Sequence, residues 1–440
     1  MRKTTRKRQS NYRLALLAAV STMPWSVFLA ATQARAQEGV LDAMASESAN
    51  KAEVKQSLIS DYTFKSGDFR MLVTPALSLQ GNDNINLAEN GKEADLIILP
   101  TVGVTMTYPI TSRFLLDVNA TVGYQDYVFH PGFSSLYMAA TSGSGLSFNI
   151  VLDPVLINVH DQPSYEQNPS GSADVAGTGT YGTFNNDAGI STRWDVVRNV
   201  DLTAGYDHVT TVTTTGTFND TDSTSEEGYV KAGYKWNSKW TTGVQGTVSY
   251  TYYDQAILGN ATSYSGGVYA DWHPDTFLEV EPQIGYSINQ FQQTSFLETS
   301  TLDSWYADLT VTHQITKFFS YSLTAGRNVS PGVESSSSEY WNANLGITWN
   351  FIRNFTLQPQ LYFQEGTQGA GTTVLTPNGS LLPTGGENFT WYGGSLALNY
   401  EINRRVTLGV TYQFTQRTSS LAGGSYTQNL IGITISYHAI

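Results

Sequence analysis

Apolar and polar residues alternate along most of the chain, from Phe69 to the C-terminus. In the stretch YEINRRVTLGVTYQF (400–414), every even position after Arg405 is apolar and every odd position is small or polar. A period of two indicates β-strands with two chemically different faces. After residue 36 no apolar run approaches the roughly 18 residues that a membrane helix needs, and the expected fold class is all-β.

Six short turns punctuate this pattern and resemble one another. Most have an aromatic residue before the turn, Asn, Thr, Ser or a cation within it, and an apolar residue after it. Between them lie longer loops rich in Gly, Ser, Thr, Asn and Asp, as expected of an up-and-down antiparallel sheet whose short turns share one end. The turns are YPITSRFLL (108–116), WDVVRNVDL (194–202), YKWNSKW (234–240), HQITKFFSY (313–321), WNFIRNFTL (349–357) and YEINRRVTL (400–408), with DWHPDTFLEV (271–280) as a variant.

The alternating segments predict about 18 strands, an even number as bacterial single-chain barrels require. The fourth and fifth strands are the doubtful pair, because SFNIVLDPVLINVHDQ (147–162) could be one long strand. We split it at Asp153-Pro154, which keeps all short turns at one end. A 16-strand barrel is the fallback. The predicted spans are 69–80, 94–107, 113–127, 144–152, 155–166, 185–196, 200–213, 226–236, 240–254, 262–272, 276–290, 302–314, 318–329, 338–350, 354–365, 388–400, 405–418 and 426–438.

The two faces of the strands distinguish a membrane barrel from a soluble sandwich. Trp341 and Trp349 bracket an aliphatic centre on one face of a single strand. Aromatic rings at both ends of an apolar band suit two membrane interfaces. On the other face, series such as Thr356, Gln358 and Gln360 need a hydrated interior, since dry burial would leave polar groups unsatisfied. We therefore predict a closed transmembrane β-barrel, with even positions 406–414 facing lipid and odd positions 407–413 facing a wide, wet lumen.

The N-terminal 36 residues differ from the rest. A basic stretch, RKTTRKR, precedes an apolar run and a small-x-small site at Ala34-Arg35-Ala36. We interpret 1–36 as a cleaved secretory signal peptide, in preference to a membrane anchor, because the apolar run is short and interrupted. Residues 37–66 are expected to form a periplasmic lead-in, and 67–440 the outer-membrane barrel. Gly432, Ile435 and Tyr437 in the last strand have a spacing that resembles the signal read by the barrel-assembly machinery.

Composition narrows the class further. Charged residues make up only 14% of the chain, which is low for a soluble enzyme of this size. The formal net charge is −13, and it becomes more negative once the basic signal segment is removed, which argues against nucleic acid as a partner. There is no cysteine, so disulfide scaffolds and thiolate metal sites are excluded.

Several charged residues are assigned to the lumen by alternation. Carboxylates lining a pore would favour cations and repel anions, although those near strand ends could simply lie in bulk water. Glu279 and Glu281, next to a predicted periplasmic turn, are the most open to that alternative. The predicted lumen residues are Asp117, Glu279, Glu281, Asp308, Lys231, Arg327 and Arg417.

Aromatic residues could add binding surfaces for sugars. Tyr306, Tyr362 and Trp391 are predicted to point inward and stack on sugar rings, but a one-residue register slip would turn each of them to lipid. His160-Asp161 is not accompanied by G-x-S-x-G or H-E-x-x-H, so neither catalysis, a metal site nor a cofactor is expected. Acidic outer loops could bind divalent cations or, through them, lipopolysaccharide.

Three stretches resemble the putative β-barrel porin type 2 family of Gram-negative outer-membrane proteins. They are the tripeptide Asp83-Asn84-Ile85, VHDQPSYEQNP (159–169) and NDAGISTRWDVVRNVDLTAGYDH (186–208). The resemblance implies passage of hydrophilic solutes, with a link to exopolysaccharide export in some members, and brings no catalytic residues. The expected function is a passive diffusion channel or export conduit, and the alternative is a non-conducting barrel, plugged by loops or by 37–66, with a surface-interaction or assembly role.

Overall fold

The computed structural model describes residues 61–138, 145–166, 173, 176, 182–214, 222–255, 259–293, 300–330, 338–368, 373–375, 381–383 and 386–440. Almost all of the described chain is β-strand, which confirms the predicted fold class. Within these ranges, no helix has both the length and the apolar character needed to cross a membrane. The predicted signal peptide and all but the last six residues of segment 37–66 lie outside the described residues.

The 20-stranded sheet consists of 18 barrel strands and two short additional strands. Each barrel strand pairs antiparallel with the next, and the first pairs with the last, so the sheet is closed. The barrel strands are β1 (Phe69–Asn82), β2 (Asp95–Thr111), β3 (Phe114–Tyr127), β4 (Gly145–Val151), β5 (Val155–Glu166), β6 (Thr183–Val197), β7 (Val200–Thr213), β8 (Ser223–Asn237), β9 (Trp240–Tyr253), β10 (Ala261–Trp272), β11 (Leu278–Phe291), β12 (Ser300–Thr316), β13 (Phe319–Ser330), β14 (Ser338–Ile352), β15 (Phe355–Gln368), β16 (Glu387–Asn403), β17 (Val406–Ser419) and β18 (Tyr426–Tyr437).

The fourth position of the barrel is built from two segments. β4 pairs only with residues 114–119 of β3, and the separate strand Ser135–Met138 pairs with residues 122–125. The split at Asp153-Pro154 is confirmed, since β4 and β5 form a hairpin around it, and the 16-strand fallback is wrong. The Ser135–Met138 segment was not predicted. It is present because β3 is twice as long as β4, and its outer half needs a second hydrogen-bonding partner.

The resemblance among the short turns has a local cause. Thr111, Asn237, Thr316 and Asn403 each end a strand, and each side-chain oxygen accepts a hydrogen bond from the backbone N–H two residues later, at 3.1, 2.8, 3.2 and 2.8 Å. These side chains replace a backbone acceptor in the turn. A one-residue register shift adjoins each of them, so the short turns share one geometry.

The strand faces agree with the predicted alternation. On β18, Ile431, Ile433 and Ile435 point outward and are exposed, whereas Gln428 and Ser436 point inward and are buried. On β17, all odd positions from 407 to 417 face inward. They are buried, except for Thr411, which is half-buried. The exterior is therefore apolar and the interior polar, the reverse of a soluble protein.

Five inward-facing tyrosines lie against glycines on the neighbouring strand. A Cβ added to Gly285 would come within 2.4 Å of the Tyr306 ring, so the ring occupies the space that a side chain would take. The rings of four of these tyrosines lie across their glycines, whereas Tyr340 contacts Gly366 through its Cα and Cβ atoms, so the wall is dense at these positions. The directly opposite pairs are Tyr229–Gly205, Tyr269–Gly243, Tyr306–Gly285, Tyr340–Gly366 and Tyr362–Gly393.

Both ends of the described chain pack against the end of the barrel where the short turns lie. The second short strand, Phe64–Ser66, folds back on β1 through Gly67, whose φ is 61°. At the other end the Ala439 N–H donates to the Val73 carbonyl at 3.1 Å. Burial lowers the pKa of His438 below its ordinary value, although the carboxylates of Glu401 and Asp61 act in the opposite direction.

The tyrosine–glycine packing predicts a position-specific loss of stability. Gly285→Val should displace Tyr306 and cost about 1–3 kcal/mol, because extra methyl groups must fit into a filled wall. The matched control is Gly266→Val on the adjacent strand, where an added Cβ has no neighbour within 4 Å. Urea unfolding of the refolded barrel in lipid measures both, and equal midpoints for the two variants would contradict this account.

Candidate functional site

Side chains from two outer loops pack inside the outer half of the barrel. Leu87 comes from the loop between β1 and β2, and Ala173 from the segment between β5 and β6. They pack against inward-facing aromatic residues of β14, β16 and β18, of which β18 is the direct neighbour of β1. We call this group the outer cluster; its buried members are Leu87, Ala173, Tyr340, Phe389, Trp391 and Tyr426.

The Asp83-Asn84-Ile85 tripeptide anchors the first loop. Asp83 accepts hydrogen bonds at 2.7 Å from the backbone and side-chain nitrogens of Asn429 on β18. Asn84 is fully buried, donates to the Thr427 carbonyl at 2.9 Å and accepts from Gln428 through its own carbonyl at 2.9 Å. These bonds position the loop for Leu87, a buried residue with φ 45°, a left-handed conformation that is costly for a branched side chain.

Arg417 joins the second loop to the barrel wall. It lies on the interior face of β17, as predicted, and is 2% exposed. Its Nη1 is 2.7 Å from Glu387 Oε1, its Nε donates to the Ala173 carbonyl at 2.7 Å and its Nη1 donates to the Gly424 carbonyl at 2.5 Å. The guanidinium is therefore a fixed connection between wall and loops, and it is not a freely accessible pore charge.

The three aromatic residues predicted to stack on sugars face the interior but are covered. Tyr306 is 2% exposed and Trp391 is 3% exposed. Tyr362 and Trp391 stack on each other with ring centroids 4.2 Å apart, and the Tyr362 hydroxyl hydrogen-bonds Thr415. Trp391 is buried in the same cluster as Leu87, and the Tyr306 ring lies against Gly285. Stacking of sugars on these rings stays a prediction.

Arg327 was predicted to face the lumen, and this prediction is wrong, because its side chain lies on the exterior. It is directly opposite Ala307 and Trp341, which face outward, and alternation continues without a break along β13. The guanidinium carbon is 4.7 Å from the centroid of the Trp305 ring, and Nη2 is 3.0 Å from the Glu339 carboxylate. A cation is tolerated there because it stacks on an aromatic ring and pairs with an acid near the outer end of the strands.

The other predicted lumen charges are on interior faces. Asp117 is half-buried on β3, and Asp308 accepts a hydrogen bond from Gln283 at 3.1 Å. Lys231 Nζ lies 4.0 Å from the centroid of the Tyr269 ring. Glu279 and Glu281 adjoin the turn between β10 and β11, with Glu279 Oε1 3.9 Å from His273 Nε2. Both glutamates thus lie at the short-turn mouth of the barrel, where bulk water is close.

The half of the interior next to the short turns is open along part of the wall. Thr312 and Gln314 on β12, and Ser322 and Thr324 on β13, point inward by register and are nevertheless exposed. Their exposure contrasts with the buried outer cluster above them. The described interior therefore combines an open, polar lower half with an outer half that loops partly fill.

Sequence reasoning missed two sets of interior residues. Glu387, the partner of Arg417, shares the odd positions of Phe389 and Trp391 on β16, so alternation could have revealed it. His160, Asp187 and Asp207 come together from three strands. Only the register between those strands brings them into contact, and no single stretch of sequence shows it.

No protein-family model matches the chain, and no curated protein matches it. Among solved structures, the chain is similar to OpdQ of Pseudomonas aeruginosa at 10% sequence identity, over 85% of this chain and 100% of that one, with a TM-score of 0.47. It is also similar to OccK2 (OpdF) of Pseudomonas aeruginosa in complex with glucuronate, at 7% identity over 85% and 99% of the two chains and a TM-score of 0.46. A BenF-like porin from Pseudomonas fluorescens Pf-5 is 8% identical over 84% and 99%, with a TM-score of 0.47.

The Arg417–Glu387 pair predicts a measurable effect on the outer loops. Glu387→Gln leaves a buried guanidinium without its counter-charge, at a cost of about 3–5 kcal/mol. We expect a lower unfolding midpoint and faster protease cleavage near Ala173. Glu401→Gln, on the same face at the short-turn end of the same strand, is the control and should change neither. Unaltered cleavage and stability in Glu387→Gln would show that the pair does not hold the loop.

Proposed function

We propose that this chain is an outer-membrane channel through which hydrophilic solutes diffuse. The observation that carries the proposal is a closed 18-strand barrel whose exterior is apolar and whose interior exposes uncharged polar side chains in its periplasmic half. A barrel of this size is wide enough to hold a water-filled passage. Closure supports a position in lipid, because every strand edge is paired.

Aromatic residues at both ends of the exterior support insertion into a membrane. Near the short turns, Trp240 and Trp272 stack with centroids 5.2 Å apart, and Trp349 lies against Phe319. Near the long loops, Trp305 and Trp341 pack edge to face at 5.7 Å. Such rings prefer the two interfaces of a bilayer, with aliphatic side chains between them.

The interior supports a preference for cations. Carboxylates outnumber cations on the inward faces of the described strands, and fixed negative charge concentrates cations in a narrow aqueous passage. The inward carboxylates include Asp117, Asp187, Asp207, Glu227, Glu279, Glu281, Asp308 and Glu387, and the inward cations include Arg70, Arg193, Lys231, Lys235 and Arg417.

A non-conducting barrel is the second candidate, and the outer cluster favours it. Ala173, from the segment between β5 and β6, accepts a hydrogen bond from Arg417 on β17, and Leu87 is buried in the same cluster. If the loops close the outer half completely, the barrel would present its surface to partners and pass no solute. The two candidates share a fold and differ only in whether a continuous aqueous path remains.

Partners and cargo follow from the proposed location. We propose outer-membrane lipid and lipopolysaccharide around the barrel, and recognition of β18 by the barrel-assembly machinery. The relation to the putative β-barrel porin type 2 family, and to polysaccharide export, remains a hypothesis based on the sequence stretches quoted above. Because Tyr306 and Trp391 are buried, they lend no support to carbohydrate as the cargo.

Conductance in planar bilayers tests the proposal. Protein that shifts in gel mobility between unheated and boiled samples, and is therefore folded, should give stepwise currents with a potassium-over-chloride permeability ratio above one. Glu279→Gln combined with Glu281→Gln should move that ratio toward one, since it removes two mouth carboxylates. An absence of steps from folded protein would reject the channel and favour the non-conducting barrel.

A further inference from the structure

A histidine and two aspartates meet in the wall formed by β5, β6 and β7. His160 is directly opposite Gly189, and Gly189 is directly opposite Asp207. A Cβ at Gly189 would lie 2.0 Å from Asp207 Oδ1 and 2.8 Å from His160 Nε2. The glycine thus leaves the space in which the two side chains meet, and Asp187, two residues before it on the same face, completes the group.

The three ligand atoms form a compact set. His160 Nε2 is 3.2 Å from Asp207 Oδ1 and 3.6 Å from Asp187 Oδ1, and the three atoms all lie within 4.8 Å of one another. The His160 side chain is 0% exposed, yet Nε2 makes no hydrogen bond of acceptable geometry. Nε2 therefore faces two carboxylate oxygens without a well-directed hydrogen bond to either. A nitrogen and two oxygens placed in this way can bind one ion together.

Neighbouring residues fix the orientation of the imidazole. His160 Nδ1 is 3.2 Å from Asn158 Oδ1. Asn158 uses its amide nitrogen for Ser147 Oγ at 2.7 Å and Asn149 Oδ1 at 2.9 Å, so its oxygen is left to accept from Nδ1–H. A proton on Nδ1 leaves the Nε2 lone pair directed at the aspartates, the arrangement found at histidine ligands of metal sites.

The surrounding charge also calls for a cation. Glu227 is directly opposite Asp207, is 2% exposed and accepts a hydrogen bond from Ser225 Oγ at 3.2 Å. A third carboxyl group therefore lies beside Asp207 in a buried part of the wall. The two aspartates next to one neutral imidazole form a negatively charged group that a cation would stabilise.

We propose that His160, Asp187 and Asp207 bind a divalent transition-metal ion of the zinc class. One imidazole nitrogen and two carboxylate oxygens are ligands that such ions accept, with water completing the coordination. Asp187 is the partly exposed member, with 31% of its side chain accessible, and gives the ion its route from the interior. The ion would join three neighbouring strands. This site is independent of whether the barrel conducts.

Zinc content tests the proposal. Folded barrel in detergent is stripped with a chelator, equilibrated with zinc and analysed by elemental mass spectrometry. We expect one equivalent per chain, with affinity lowered at least about tenfold in His160→Gln and in Asp187→Asn. Asp187→Asn changes a half-exposed residue and keeps the test valid if His160→Gln fails to fold.

Two histidine variants serve as controls. His208→Gln removes a histidine that faces outward on β7 beside Glu226, and His273→Gln disrupts the Asp271, His273 and Glu279 group at the periplasmic mouth. Both should retain the bound equivalent. The proposal is overturned if folded wild-type protein takes up no zinc, which would leave an imidazolium–carboxylate cluster, or if binding survives in both site variants or is lost in His273→Gln.

Discussion

The structure depends on the pairing of its first and last strands. Seven residue pairs join β1 to β18 through residues 76–82 and 430–436, and Ser78 and Thr434 add a side-chain hydrogen bond of 2.9 Å. Without this contact, two strand edges would expose unpaired N–H and C=O groups, each costing several kcal/mol in hydrocarbon. Closure also forces each strand to have an inside and an outside, and the sequence alternation follows from it.

Side chains and loop segments fill one part of the interior, and exposed polar side chains line another part. Tyrosines lying on glycines thicken the wall, and the Arg417–Glu387 pair and Asn84 hold loop segments inside the outer half. Below them, polar side chains on β12 and β13 are exposed. The same barrel therefore contains both an open region and a partial plug. The position of the loops determines whether a continuous passage remains.

Much of the fold could be predicted from the sequence because alternation and turn chemistry are local. Strand number, turn positions and the Asp153-Pro154 hairpin all follow from short stretches. The Ser135–Met138 strand could not be predicted, because four residues carry too little alternation and its presence depends on the unequal lengths of β3 and β4. Arg327 was assigned to the interior by alternation, whereas the register between β13 and β14 places it opposite Trp341 on the exterior.

The site was less predictable because its contacts join distant parts of the chain. Trp391 is covered by Leu87, some 300 residues earlier in the sequence, and Arg417 contacts Ala173 across 244 residues. Alternation assigns a face but does not tell whether a loop covers it. The grouping of His160 with Asp207 likewise depends on register and on Gly189 between them.

Disulfide trapping of the closing pair tests the account most directly, since the chain has no cysteine of its own. Ser78→Cys with Thr434→Cys should form an intramolecular disulfide in folded protein in native outer membranes, seen as a mobility change on a non-reducing gel. Ser78→Cys with Gln428→Cys should not, because about 20 Å of strand separates position 428 from the partner of Ser78. Failure of the first pair to cross-link within one chain, or equal cross-linking of both pairs, would contradict a barrel closed in this register.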